Sequence, residues 1–252
     1  MCIRDRLVHF PSPYAPLAVP APYVVTIHDL IDLHYPQWTK PAARWYYRLG
    51  VRHIARAARC IITDDPATAD DLAAFYGIAR GRMEVIPLGV EALGIEPVRR
   101  ATPYAIYAGN RQPHKDLHTI VEGWSRIDPS FEVDLVLTGT DDPGLRTSQR
   151  ERGRILFLGE LDHSDVLRWI AGASVLVHAA LREGFGLPLL EAVRLGTPVI
   201  AAQSSVPEPL RGHVRTFVPG DRAELARLIE TALRGEQRDA ALRARDATAM
   251  LT

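Results

Sequence analysis

The segment Leu181-Arg182-Glu183-Gly184-Phe185-Gly186-Leu187-Pro188-Leu189-Leu190-Glu191-Ala192 sets two carboxylates around paired glycines and a proline. Pro188 fits the first helical position, where its missing N–H costs nothing, and Gly184 and Gly186 let the backbone come close to a ligand. Amides at such a helix start, near Gly186 and Leu187, attract an anion. Glu183 then stands in the loop and Glu191 inside the helix, so the two carboxylates address different parts of one extended ligand. A carboxylate suits a ribose diol because its oxygens accept from adjacent hydroxyls. Taken alone, Glu191 equally fits as a complement to the helix dipole.

A second candidate is His28, which ends the run Val24-Val25-Thr26-Ile27-His28-Asp29. A histidine at the tip of a buried strand serves structure as often as chemistry. The chain has no Asp-x-Asp triplet; Asp64-Asp65, Asp70-Asp71 and Asp141-Asp142 are adjacent pairs that read as caps and turns.

These residues need elements to hold them, and the pattern supplies a parallel α/β architecture. From Leu7–Phe10 and Tyr23–Ile27, apolar runs alternate with helical patterns through Pro41–Cys60, Ile61–Thr63, Ala67–Tyr76 and Met83–Pro87. A charged stretch with Gly94, Pro97 and Pro103 separates this unit from a second one. There, strands are expected at Tyr104–Ala108, Val133–Thr138, Ile155–Leu158, Val175–His178, Pro198–Ala201 and Arg215–Val218. Helices are expected at Leu117–Arg126, His163–Ala173, Pro188–Leu195 and Arg222–Leu233. Six strands with alternating helices complete a doubly wound domain, which binds ligands beyond its strands' carboxyl ends. The expected division is 1–92 for a partial amino-terminal domain, 93–102 for a hinge, 103–235 for a complete carboxy-terminal domain and 236–252 for a final helix cut short.

Composition narrows the class. With 252 residues, 30 Lys+Arg against 30 Asp+Glu and 47% hydrophobic residues, the chain is ordinary globular material, not a disordered, collagenous or coiled-coil sequence. A net charge of zero argues against a dedicated nucleic-acid binder. Two cysteines exclude a disulfide scaffold; Cys60, in an apolar run, is expected to be a buried free thiol suited to a reducing cytosol. No apolar run approaches the ~18 residues of a membrane span, and the opening carries charge where an export signal would begin its apolar core. Residues 1–49 contain no glycine, although a Rossmann half usually opens with a strand and a glycine turn. The first domain is therefore expected to be incomplete; the first six residues, whose charges cannot continue the strand begun by Leu7–Phe10, are expected to be a foreign or mis-translated start, the alternative being a disordered native terminus.

The Glu183–Glu191 segment resembles the Glu-x7-Glu motif of the family 4 retaining glycosyltransferases, whose two Rossmann-like domains face a cleft (the GT-B fold). The likeness continues through Gly196-Thr197-Pro198-Val199-Ile200 and Ser204-Ser205-Val206-Pro207-Glu208, and backward through Leu158-Gly159-Glu160-Leu161. It covers about Tyr104 to Leu233, with a thinner likeness over Val8 to Val90, where Ile86-Pro87-Leu88-Gly89-Val90 matches a hinge turn. The resemblance implies that Glu183 contacts the donor sugar and that Glu191 binds the nucleotide ribose. It implies a backbone cradle at Gly184, Phe185, Gly186 and Leu187, and a place for His28 close to the sugar, with Asp29 orienting it or capping the next segment. It also implies an arginine and a lysine on the donor diphosphate. In Gly109-Asn110-Arg111-Gln112-Pro113-His114-Lys115, Lys115 keeps the lysine position, while Asn110 stands where the arginine belongs and Arg111 falls one residue late.

The expected activity is metal-independent transfer, with retention, of a sugar from a GDP- or UDP-sugar to a glycan or lipid-linked acceptor, and the Gly109–Lys115 segment tilts the donor toward GDP-mannose. No cofactor is expected, because two cations and a helix amino terminus can hold the leaving phosphate. Two alternatives are a nucleotide-sugar 2-epimerase of the same fold and a non-catalytic sugar-nucleotide binding fragment. Finally, on one helix over Pro41–Cys60, Arg44, Arg48, Arg52, Arg56 and Arg59 fall at roughly 0, 40, 80, 120 and 60 degrees, beside Trp45, Tyr46 and Tyr47. Such an arc fits peripheral contact with anionic lipid at the inner membrane face of a cytoplasmic enzyme, or a solvated face with its aromatics in the core.

Overall fold

A computed structural model describes residues 7–90, 94–139, 153–236 and 238–248. Residues 1–6 with Cys2, residues 91–93, the pair Asp141-Asp142 and the last four residues lie outside the described residues. The chain divides into two compact units, residues 1–88 with Glu183–Phe185, and the remainder from Gly89. Its α/β elements form two parallel, Rossmann-like sheets.

The first unit holds β1 (Val8–Phe10), β2 (Tyr23–Thr26), a single turn α1 (Ile31–His34), a helical run from Pro41 to Ala57, β3 (Cys60–Thr63), α4 (Pro66–Tyr76) and β4 (Met83–Val85). The strands pair in the order β1-β2-β3-β4, all parallel. Val25, Ile27, Val51, Ile54, Ile61, Leu72 and Tyr76 make its core. Cys60 is half-buried rather than buried, because burial alternates along β3 and Cys60 starts on the less covered face.

The helical run is not one α-helix. It comprises α2 (Pro41–Trp45), a π-helical segment (Tyr46–Val51) and α3 (Arg52–Ala57). The Tyr46 ring lies where a residue 50 side chain would stand, 2.8 Å from an ideal Cβ, so only Gly50 fits beneath it. A π turn takes more residues than an α turn, so the 100-degree spacing that gave one basic arc fails across it. Arg44 reaches the Pro36 carbonyl, and Arg56 donates to the Tyr76 carbonyl from Nε and Nη2 at 3.0 and 2.7 Å. These two arginines tie the unit together, while Arg48 and Arg52 stay exposed. Tyr47 is buried in the core, and Trp45 is 62% exposed.

The second unit contains β5 (Tyr104–Tyr107), α5 (Leu117–Ser125), β6 (Asp134–Leu137), β7 (Ile155–Phe157), α6 (His163–Gly172), β8 (Val175–His178), α7 (Leu187–Leu195), β9 (Val199–Ala202), β10 (Arg215–Phe217), α8 (Arg222–Leu233) and α9 (Arg238–Ala247). The sheet order is β10-β9-β8-β5-β6-β7, every pair parallel. In chain order this is the Rossmann arrangement, with the direction of winding reversing between β5 and β8. Every residue of β5, β6, β8 and β9 is buried, as a parallel sheet covered on both faces requires. Trp124 of α5 fills the core beside Leu135, Val177 and Ile229 and donates its indole N–H to the Val133 carbonyl at 3.0 Å. Among the described residues no helix is long and apolar enough to cross a membrane.

Candidate functional site

The winding reverses between β5 and β8, and open α/β sheets bind their ligands beyond the carboxyl ends of the strands at that point. Gly109 to Lys115 follow β5, and Leu181 to Gly186 follow β8, so the two segments singled out by sequence leave the carboxyl ends of these two strands. The Leu181 amide donates to the His114 carbonyl at 2.8 Å, which ties one loop to the other. Gly109 donates its amide to Thr138 Oγ1 at 3.0 Å, and the Tyr107 hydroxyl donates to the Asn110 carbonyl. Asn110 is exposed, with its side-chain oxygen accepting from the Gln112 amide at 3.2 Å.

Lys115 closes a 3₁₀ turn, Pro113–Lys115, before Asp116 caps α5 through the Thr119 amide and hydroxyl. Arg111 stacks its guanidinium over the Phe157 ring of β7, 5.0 Å from the centroid. Its three side-chain nitrogens are buried and have no hydrogen-bond partner among the described residues.

On the other loop, Gly186 takes the left-handed conformation, φ 75°, and α7 starts at once with Leu187 and Pro188. Leu187 is exposed, and Leu189, Leu190, Ala192 and Val193 anchor the helix to the core. Glu191 shares that buried face although it is charged, with 6% exposure. It stands in a cavity of about 360 Å³ whose other walls include Val90, Leu167, Leu187 and Leu195. Burial pushes its carboxyl pKa up, and His163, with Nε2 3.3 Å from Glu191 Oε1, offsets part of that rise. A merely dipole-compensating glutamate would face solvent, so the inward placement favours a ligand role. His163, the first residue of α6, escaped sequence reasoning because nothing in the chain links residue 163 to residue 191.

Glu183, Gly184 and Phe185 group by contact with the first unit. Glu183 is half-buried and Phe185 buried, and a Cβ at Gly184 would lie 2.7 Å from the His28 carbonyl oxygen, which explains the glycine. In the same unit His28 follows β2 with its imidazole 46% exposed, and Nδ1 lies 2.6 Å from Oδ2 of the buried Asp64. Asp29 caps the next turn by accepting from the Ile31 amide at 3.0 Å. The expectation that all three Asp pairs are caps and turns is therefore corrected. Asp65 does cap α4, but Asp64 pairs with His28, and Asp71 lies inside α4 and pairs with His34 at 2.9 Å. Strand register carries the missed signal: Thr26 lies opposite Ile62, so residues 28 and 64 leave the sheet side by side.

Two family models match the chain, "Glycosyl transferases group 1" over residues 102–235 and "Glycosyltransferase Family 4" over residues 5–92. The O-antigen chain mannosyltransferase RfbU of Salmonella typhimurium is 22% identical over 187 residues, which cover 72% of this chain and 52% of that protein. Sucrose-phosphate synthase from Thermosynechococcus elongatus superposes with a TM-score of 0.78 at 22% identity, covering 97% of this chain and 69% of that one. Anabaena HepE in complex with UDP-glucose gives a TM-score of 0.73 at 21% identity, covering 92% and 67%. The chain spans about half the length of the curated relatives it matches.

Proposed function

We propose that this chain, which belongs to the group 1 glycosyltransferases, moves a sugar from a nucleotide-sugar donor to a glycan or lipid-linked acceptor. The observation that carries the proposal is the inward carboxylate of Glu191, 6% exposed in a cavity of about 360 Å³ beside the start of α7. In this reading Glu191 accepts from the ribose hydroxyls. Lys115, Arg111 and the amides at Gly186 and Leu187 hold the diphosphate. Glu183 and His28 serve the sugar. Two cations and a helix amino terminus stabilise the leaving phosphate without a metal, each charge-assisted hydrogen bond contributing about 1.5–3 kcal/mol. The sugar keeps its anomeric configuration, with the leaving phosphate taking the acceptor hydroxyl's proton on the same face. GDP-mannose is the favoured donor, supported by the Gly109–Lys115 segment and by the mannosyltransferase named among the relatives. The test is product analysis with radiolabelled GDP-mannose and UDP-glucose. Label in a glycan or lipid-linked product supports transfer. Label recovered only as an epimerised donor, or only as bound donor, overturns it in favour of an epimerase or a binding module.

For the acceptor side, the proposed lipid contact narrows to Arg48 and Arg52. They line a hollow of about 410 Å³ with Leu33, Trp45, Leu49, Phe75 and Tyr76, of which Trp45, Leu49 and Phe75 are 62%, 59% and 40% exposed. Exposed tryptophan and leucine beside arginine suit the headgroup region of an anionic bilayer facing the cytoplasm. Co-sedimentation with phosphatidylglycerol vesicles is expected to weaken about tenfold or more in Arg48→Glu/Arg52→Glu. Equal binding of parent and variant, or of anionic and neutral vesicles, would contradict it.

A further inference from the structure

Both nitrogens of the His28 ring face oxygen acceptors. Nδ1 lies 2.6 Å from Asp64 Oδ2, and Nε2 lies 3.2 Å from the Pro11 carbonyl oxygen. A carbonyl oxygen and an ionised carboxylate only accept hydrogen bonds, so a neutral ring would turn one lone pair toward another. The Asp64 side chain is 2% exposed and held at the end of β3, so it is fixed in place before any ligand arrives. The His28 backbone is fixed too, because its carbonyl accepts from the Thr68 hydroxyl of α4 at 3.1 Å.

We infer that Asp64 is a positioning residue that keeps the His28 imidazole protonated on both nitrogens. His28 then enters sugar transfer as a fixed, positively charged hydrogen-bond donor and not as the base that deprotonates the acceptor. The role in transfer rests on the proposed function, whereas the proton assignment rests on the pair alone. The titratable groups acting on the ring are Asp64, beyond β3, and Asp29, next in the chain; the Pro11 carbonyl comes from beyond β1. The hydrogen bond to Asp64 raises the His28 pKa above the ordinary histidine value, against a smaller lowering by burial. Charge on the ring therefore persists as pH rises past about 6.5, where a free histidine loses its proton.

The chemistry follows from the assignment. A doubly protonated imidazole has no lone pair to take a proton, so the acceptor hydroxyl's proton goes to the leaving phosphate. Contact with a donor requires Nε2–H to exchange the Pro11 carbonyl for a ligand oxygen, which keeps the bond count unchanged.

The test is nitrogen-15 NMR of the histidine side chains in the whole chain, with His28→Gln used to assign the His28 signals. The expected result is two protonated ring nitrogens for His28 at pH 7 in the parent and a midpoint shifted to lower pH in Asp64→Asn. A neutral His28 in the parent at pH 7, or one midpoint for parent and Asp64→Asn, would overturn the inference. The parent spectrum decides by itself if Asp64→Asn does not fold. Failure of the parent to bind GDP or UDP would break the donor-site reading while leaving the proton result standing, so the two are told apart.

Discussion

Asp64 in the first unit and Glu191 in the second are both carboxylates buried beyond the ends of parallel strands, and each has a histidine beside it. They are held in different ways. Asp64 meets His28 at 2.6 Å, and the pair raises the histidine's pKa. Glu191 meets the exposed His163 at 3.3 Å, and burial dominates, raising its own pKa instead. One carboxylate is closed off by its partner, whereas the other faces a cavity that Val90, Leu167, Leu187 and Leu195 line together with His163 and Arg194. The same contrast extends to Arg56, which closes on a carbonyl, and Arg111, which is buried without an acceptor among the described residues. A buried carboxylate facing a cavity is a group that a ligand's hydroxyls can complete.

The largest expected effect tests whether nucleotide binding belongs to the second unit. Trp124→Ala removes a fully buried indole from that unit's core and should cost about 3–5 kcal/mol in denaturant unfolding of the second unit. Binding of GDP or UDP should fail wherever that unit melts, and binding that survives its melting would break the comparison.

In the loop after β5, Lys115→Ala should weaken nucleoside diphosphate binding about tenfold or more. Arg111→Ala should weaken it less, because its guanidinium stacks on Phe157 in the unliganded chain. Fluorescence titration of both variants checks the order, and equal losses would place Arg111 on the phosphates as firmly as Lys115. EDTA should change neither titration; a strict demand for a divalent ion would contradict metal-free binding.

A smaller pair of effects separates the two carboxylates by stability. His28 has a raised pKa in the folded chain, so the pair's contribution is fully present below about pH 6.5 and is lost as pH rises through the folded value. Asp64→Asn should therefore lower stability more at pH 6 than at high pH, by less than about 1 kcal/mol because solvent screens the half-exposed ring. Glu191 also has a raised pKa, so its folded-state advantage exists below the ordinary carboxylate range and is lost above it. At pH 7, Glu191→Gln should melt no lower than the parent. Thermal melts across pH decide both, and a marked loss in Glu191→Gln would show that the carboxylate serves the fold.

Much of this was legible in the residues. Apolar runs located the described strands to within a residue or two, since a strand buried on both faces leaves an unbroken signature, as in Val175–His178. Gly186, Pro188 and Gly196 marked both ends of α7 because each solves a backbone problem at a helix terminus. Features that depend on pairing across space were hidden. His28 with Asp64 needed strand register, and Glu191 with His163 needed the packing of α6 on α7. The π segment left no mark in the residue pattern, and across it the 100-degree spacing behind the basic arc does not hold. Helix α1, a single turn whose first amide donates to Asp29, was too short for any periodicity to register.

The central claim is that the second unit binds the nucleotide of a sugar donor through Glu191. Calorimetry of GDP and UDP with the parent chain and with Glu191→Ala, at pH 7 and in EDTA, tests it most directly. Measurable binding is expected for the parent, with a loss of about 10–100-fold in Glu191→Ala, the worth of one hydrogen bond to a charged acceptor. Undiminished affinity in Glu191→Ala would contradict the claim.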